Sequence, residues 1–167
     1  MNYYDEIAQG YEELHKEEQE NKINLIKQYL KLQKDEKLLD VGCGTGLTTR
    51  TWDCKRFGID PSKKLLEKAK QKDPKGEYEL APSENIPFKD NEFDIVISIT
   101  AIQNFNNIEK GLNEIKRVGN DKFVLTFLKK SSKADKIASL IQQTFNISKI
   151  LEEDKDFIFI SRGVHND

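Results

Sequence analysis

Two rhythms of apolar residues alternate along this chain. Short, nearly continuous runs such as LLDV at 38–41, FDIVIS at 93–98 and FVLTFL at 123–128 are separated by longer stretches with helical spacing. That alternation predicts helices crossing over a parallel sheet whose strands are buried on both faces. Strands are expected near 37–41, 56–60, 76–80, 93–99, 122–128, 147–152 and 156–161, and helices near 46–51, 62–72, 107–117 and 132–145. Asp5 to about Leu32 reads as one or two N-terminal helices, with Ile23, Ile26 and Leu30 on one stripe. The 46–51 helix has the weakest basis, because Leu47 to Thr51 is rich in threonine, a poor helix former. Asp60-Pro61-Ser62 before KKLLEKAKQK marks a strand end followed by a helix start, with proline and a capping hydroxyl in suitable places. NISKIL and DFIFISR flank the turn-like Glu152-Glu153-Asp154-Lys155, which predicts an antiparallel C-terminal hairpin at the sheet's edge. The expected fold class is α/β: a seven-stranded, mostly parallel sheet with helices on both faces.

Length and composition narrow this picture. A chain of 167 residues suits one domain with a real core. We therefore expect a single unit over 1–167, with 1–32 as an N-terminal helical cap. Hydrophobic residues make up 37% and charged residues 34%, and no apolar run approaches the roughly 20 residues of a membrane span. The opening MNYYDEIAQGYEE is acidic and aromatic, unlike a signal peptide, so a cytoplasmic location is expected and no membrane partner. Cys43 and Cys54 lack CxxC spacing and a neighbouring histidine, which argues against zinc and for reduced thiols. A net charge of −2 gives no general attraction for nucleic acid, so any RNA binding must come from a local patch or a partner protein. Lysines gather at 63–75 and again at Lys129, Lys130, Lys133 and Lys136, where solvated helix faces are a sufficient explanation.

Candidate chemistry concentrates at KLLDVGCGTGLTTRTW, residues 37–52, where three glycines occupy five positions directly after a strand. Such a turn lets a cofactor lie against main chain, since a Cβ would block the approach. The dinucleotide pattern G-x-G-x-x-G is not met, because Gly46 comes one residue early and position 47 is leucine. Asp60, at the end of the second strand, is placed to accept hydrogen bonds from two ribose hydroxyls. Both NAD and S-adenosylmethionine carry such a ribose, so Asp60 alone does not choose between them.

LDVGCGTG, then GIDPS, then APSENIPFKDNEFDIVIS together resemble the successive signature segments of class I S-adenosylmethionine-dependent methyltransferases. The resemblance covers roughly residues 3–128 and implies a Rossmann-like fold with S-adenosyl-L-methionine as cofactor. It assigns Gly42, Gly44 and Gly46 to the methionine part and Asp60 to the ribose, with Asp40 supporting the loop and Ser98 at the end of the fourth strand. Adenine falls to Ser83 and Glu84, with Ile59 and Pro61 along the ring's faces. Relatives often carry an acid where this chain has Pro82, which leaves the adenine amino group to Glu84, a main-chain carbonyl or water. YYDEIAQGY resembles the start of UbiE-like methyltransferases, which places Tyr11 near the sulfonium or carboxylate end, where an aromatic face tolerates a desolvated cation.

For the acceptor, the switch point beyond the fourth strand is the expected place. SITAIQNF there is similar to the corresponding segment of eukaryotic and archaeal rRNA guanine-N7 methyltransferases, and lacks the N-P-P-Y type of sequence used for amide and exocyclic nitrogens. Gln103, Asn104 and Phe105 are the candidates for gripping an acceptor base. His15 and His165 are the only histidines and neither is an obvious central base. A ring nitrogen attacks through a free lone pair and needs none, as would a carboxylate or thiolate acceptor. FVLTFLKKSSKADKI passes almost directly from strand to helix, which predicts an open mouth rimmed by Lys129, Lys130 and Lys133. The resemblance implies methylation of an rRNA or tRNA nitrogen, with a small zinc-binding activator protein docking along EYEL at 77–80. A small-molecule methyltransferase and a catalytically silent cofactor-binding subunit are the alternatives, with a nucleotide-dependent oxidoreductase behind them.

Overall fold

The computed structural model describes the backbone of residues 3–162 and the side chains of residues 13–162. One helix, α1 (Tyr3–Lys27), precedes β1 (Lys37–Val41), β2 (Lys55–Asp60), α2 (Lys63–Lys72), β3 (Glu77–Leu80) and β4 (Phe93–Ser98). α3 (Ile108–Val118), β5 (Gly119–Leu128), α4 (Ala134–Thr144), β6 (Lys149–Glu152) and β7 (Asp156–Ser161) follow. The strands form one sheet in the order β3-β2-β1-β4-β5-β7-β6. The first five run parallel to one another, and β7 runs antiparallel to both β5 and β6. This is the α/β architecture the alternating pattern predicted, with the C-terminal hairpin folded back so that β7 lies inside β6.

Strand alternation divides the interior into two apolar layers. Leu39, Val41, Val96, Leu125 and Phe127 pack with Ile108, Leu112, Ile115, Ile137 and Ile141 from α3 and α4. Leu38, Ile95, Ile97, Val124 and Ile158 pack on the other side with Ile23 and Ile26 of α1, and with Leu30 and Trp52. Ile23 and Ile26 of the predicted stripe are therefore on the buried face of α1, while Leu30, also buried, lies beyond the helix, which ends at Lys27 rather than near Leu32. The alternation also sends Asp40 to the α1 side of the sheet.

The expected helix over 46–51 does not form. Residues 42–54 cross from β1 to β2 through turns, with a single helix-like bond from Arg50 N to Gly46 O. The threonines explain this: the Thr48 and Thr49 hydroxyls donate to Asp40 Oδ2 at 2.6 and 2.7 Å, and Thr51 Oγ1 donates to Thr48 O. Side-chain partners of this kind compete with the helical ladder. A short 3₁₀ turn over Ile102–Asn104, absent from the sequence reading, follows β4. α1 is one helix, and residues 28–36 beyond it run as turn and loop.

Candidate active site

β1 lies between β2 and β4, so the chain leaves the sheet in opposite directions on either side of the gap beyond β1 and β4. A cleft opens at such a switch point. Its floor is the glycine turn: Gly42, Gly44 and Gly46 have φ of +77°, +55° and +80°, values that L side chains rarely adopt. The Gly42 and Cys43 amides both donate to Ile59 O, at 2.9 and 3.0 Å, which lays the turn over the end of β2. A Cβ at Gly44 would project into open space, with nothing within 4 Å, while one at Gly42 would meet Ala101 Cβ at 2.7 Å.

The cleft has a volume of about 350 Å³ and runs from Gly42, Gly44 and Asp60-Pro61 past the 81–84 loop to Thr100, Ala101 and 104–106. A second chamber of about 300 Å³ lies on the α1 side, walled by His15, Gln19, Thr45, Leu47 and Thr48. The two share Gly42, Gly44, Leu65 and Thr100, so they adjoin at the glycine turn.

Asp60, 8% exposed, accepts from Gly44 N through Oδ2 and from Ser62 N through Oδ1, both at 2.9 Å. An ionised carboxylate has about four acceptor sites, so two such bonds leave capacity facing the cleft. Ser62 also caps α2, its hydroxyl accepting from Leu65 N, as the sequence predicted. Glu84 accepts from the Ser83 hydroxyl at 2.9 Å and from Asn107 N at 3.0 Å, tying the loop after β3 to the start of α3. Burial raises the Glu84 carboxyl, but these hydrogen bonds outweigh it and hold the group below the usual carboxylate range. Beneath the turn, burial pushes Asp40 up to about 6 against the opposing pull of Thr48 and Thr49, and its Oδ1 has no partner among the described residues. Burial, with Asp40 and Asp60 nearby, raises the Cys43 thiol far above the range of a reactive cysteine. Gln19 is 5% exposed, and its Oε1 is buried without a partner among the described residues at the wall of the second chamber.

The methyltransferase domain family matches residues 39–127, more than half of the chain. The chain belongs to this family. The chain is 34% identical over 129 residues to an uncharacterised protein of Methanocaldococcus jannaschii, covering 75% of this chain and 49% of that one. It is 34% identical over 114 residues to the ubiquinone/menaquinone biosynthesis C-methyltransferase UbiE of Campylobacter jejuni, covering 60% and 48%. The chain thus spans about half the length of these curated relatives. Among solved structures, a SAM-dependent methyltransferase of Aquifex aeolicus superposes with a TM-score of 0.72 at 17% identity over 85% of this chain and 89% of that one. A chain from the complex between a methyltransferase activator of Haloferax volcanii and its candidate methyltransferase gives 0.77 at 14% identity, over 95% and 96%. Both share the fold.

S-adenosylmethionine is the cofactor that membership implies, and the methyltransferase cleft fits it on three counts. Gly44 leaves a space that any side chain would fill, Asp60 keeps acceptor capacity at the cleft, and the orphan Gln19 oxygen calls for a donor.

Of the residues expected at the site, Gly42, Gly44, Asp60, Pro61, Ser83, Glu84, Asn104 and Phe105 line the cleft together. Phe105 does so while also packing in the core. Five others do not reach it. Gly46 lies beneath Tyr78 and Ala69, where a Cβ would come within 2.9 Å of the Tyr78 hydroxyl. Ser98 is buried and donates to Val41 O at 2.8 Å, joining β4 to β1. Ile59 is a core residue, and Asp40 acts from below through the threonines. Gln103 turns back, with Nε2 donating to Thr100 O at 2.9 Å. Tyr11 lies outside the residues whose side chains are described. Sequence reasoning missed Thr100, Ala101, Leu65 and Gln19. Only Leu65 carried a signal, its place in the first turn of the helix that Asp60-Pro61-Ser62 begins.

Proposed function

We propose that this protein transfers a methyl group from S-adenosylmethionine to a nitrogen of rRNA or tRNA. The observation that supports the substrate class is a groove of about 400 Å³ that adjoins the cleft at Phe105 and Asn106 and is bordered by Lys133 and Lys136 together with Glu109. Lys133 Nζ stands 3.4 Å from Gln103 O at that rim. Lys129, expected beside it, is drawn away to Glu152 at 3.0 Å and to the Phe157 ring. Between Leu128 and Ala134 there is no inserted lid, so a phosphate-bearing chain has an open approach to the cleft.

Asp60 holds the ribose hydroxyls, Ser83 and Glu84 face the adenine edge, and the glycine turn runs beneath the methionyl arm. Gln19 Oε1 accepts from the α-ammonium in the second chamber. Bound there, the cofactor supplies a sulfonium-borne methyl group for in-line displacement, and alignment in such systems accounts for roughly 7–11 kcal/mol of barrier. Asn104 and Phe105 orient the acceptor at the end of β4. A base nitrogen with a free lone pair asks for no proton acceptor in this wall. A small zinc-binding activator docks along the open edge of β3, where Leu80 is 54% exposed; the fold shared with an activator-bound chain supports this.

Small-molecule methylation is the second reading, favoured by the identity with UbiE. Tritiated S-adenosylmethionine offered to fractionated RNA, protein and metabolites, with and without candidate activators, separates the two. Label in RNA is expected; label confined to metabolites replaces the first reading by the second. Among the described residues no helix is long and apolar enough to cross a membrane.

A further inference from the structure

Thr100 stands where β4 leaves the sheet, and its φ of +54° places a β-branched side chain in the left-handed region. Strain of this kind persists only when the surroundings dictate it, and it gathers at working sites. Three separate elements hold it here. Thr100 N donates to Thr126 Oγ1 of β5 at 2.8 Å, and Thr100 Oγ1 donates to Asp156 Oδ2 of β7 at 2.6 Å. Lys22 of α1 donates to Thr100 Oγ1 at 2.8 Å and lies 3.3 Å from the same Asp156 oxygen, to which Thr126 Oγ1 also donates. Every hydroxyl proton in this network has one direction. Lys22 is 3% exposed, while Thr126 and Asp156 are fully buried.

Stability is a poor explanation for such a cluster, because well-packed apolar residues of equal volume are often as stable as a buried ion pair. Its visible product is the path of the chain. The left-handed turn at Thr100 brings Ala101 to contact distance of Gly42 and starts the 3₁₀ turn that leads to Phe105 on the far wall. Thr100 is also one of the residues shared by both chambers.

We infer that Thr100 is a positioning residue of the methyl-transfer site, held left-handed by Thr126, Asp156 and Lys22, so that the seating of α1 sets the spacing between Gly42 and Ala101. This rests on the reading that the cleft takes S-adenosylmethionine. It goes beyond that reading by making α1, β5 and β7 determinants of cofactor affinity without touching the cofactor.

Calorimetric binding of S-adenosylhomocysteine tests it. Thr126→Val keeps the side-chain shape and removes both of its hydrogen bonds; it should weaken binding about tenfold, and Thr126→Ser should restore it to within about twofold. In a Thr100→Gly background, where positive φ carries no steric penalty, Thr126→Val should cause no further loss. Unchanged affinity in Thr126→Val alongside a lowered melting temperature overturns the inference, because the network is then scaffolding only. So does an equal loss in both backgrounds. Thr126→Ala, which removes the same two hydrogen bonds, serves with the same outcomes should Thr126→Val fail to fold. Wild-type protein that binds no S-adenosylhomocysteine refutes the cofactor reading itself, and the inference with it.

Discussion

The Asp60 carboxylate accepts from the Gly44 and Ser62 amides while lining the cleft, so it shapes the turn and presents acceptors with the same atoms. Asp60→Ala removes both functions, and charged hydrogen bonds of this kind are worth roughly 1.5–3 kcal/mol. S-adenosylhomocysteine affinity should fall about 10- to 100-fold by calorimetry; an unchanged dissociation constant refutes the assignment. Gly44 gives a second handle. Its φ of +55° costs any L residue roughly 1–2 kcal/mol, and a branched Cβ there enters open cleft rather than protein. Gly44→Val should therefore keep its far-ultraviolet dichroism, lose a few degrees of melting temperature and bind no cofactor. Both residues were legible in the sequence, because a glycine turn followed by a strand-end acid has a local meaning. Thr100 was not: its conformation is dictated by Thr126, Asp156 and Lys22, which lie 26, 56 and 78 positions away. Ser98 and Gln103 misled for a related reason, since hydroxyl and amide partners depend on packing that neighbouring letters do not specify.

At the level of elements, the strands and long helices were readable because burial on both faces leaves continuous apolar runs. The crossover after β1 was not, since its geometry comes from Asp40 reaching Thr48 and Thr49 rather than from helix propensity. That crossover makes stability depend on pH in an unusual direction. Burial raises Asp40 from 3.8 to about 6, so folding favours the protonated acid. Its contribution is fully present below about pH 4 and is lost as pH rises through about 6, and the shift corresponds to about 3 kcal/mol. Asp40→Asn cannot ionise. In urea unfolding, the stability of Asp40→Asn minus that of wild type should rise by about this amount between pH 4 and pH 6, then stay level. A constant difference across that window would show that Asp40 keeps an ordinary acidity beneath the turn. Asp73 behaves in the opposite way: its hydrogen bonds from Arg56 hold its carboxyl below the usual carboxylate range, so its contribution is present at neutral pH and fails only in stronger acid. Comparing Asp40→Asn with wild type in the same buffers removes that background, because both retain Asp73.

Across the whole molecule the sheet has two open edges, β3 and β6, each hydrogen-bonded to one neighbour only. Uncovered edges invite pairing with another chain. Each carries one of the exposed large apolar residues found among the described residues, Leu80 on β3 and Ile150 on β6. The two are not equivalent in relation to the cleft. Leu80 pairs with Asp60 in register and is followed directly by Ala81, Ser83 and Glu84 at the cleft wall, whereas β6 lies three strands from β4 at the far side. A partner strand added to β3 would fix the 81–84 loop at the cleft wall, which the Asn107 N to Glu84 bond ties to the start of α3. One added to β6 would change nothing there. If an activator docks as proposed, Leu80→Lys should abolish its co-purification and lower cofactor affinity in the complex to that of the isolated chain, which itself should be unaltered by the substitution. Ile150→Lys should do neither. Retention of the activator by Leu80→Lys, with release by Ile150→Lys, would move the docking edge to β6 and remove the link between partner and cleft.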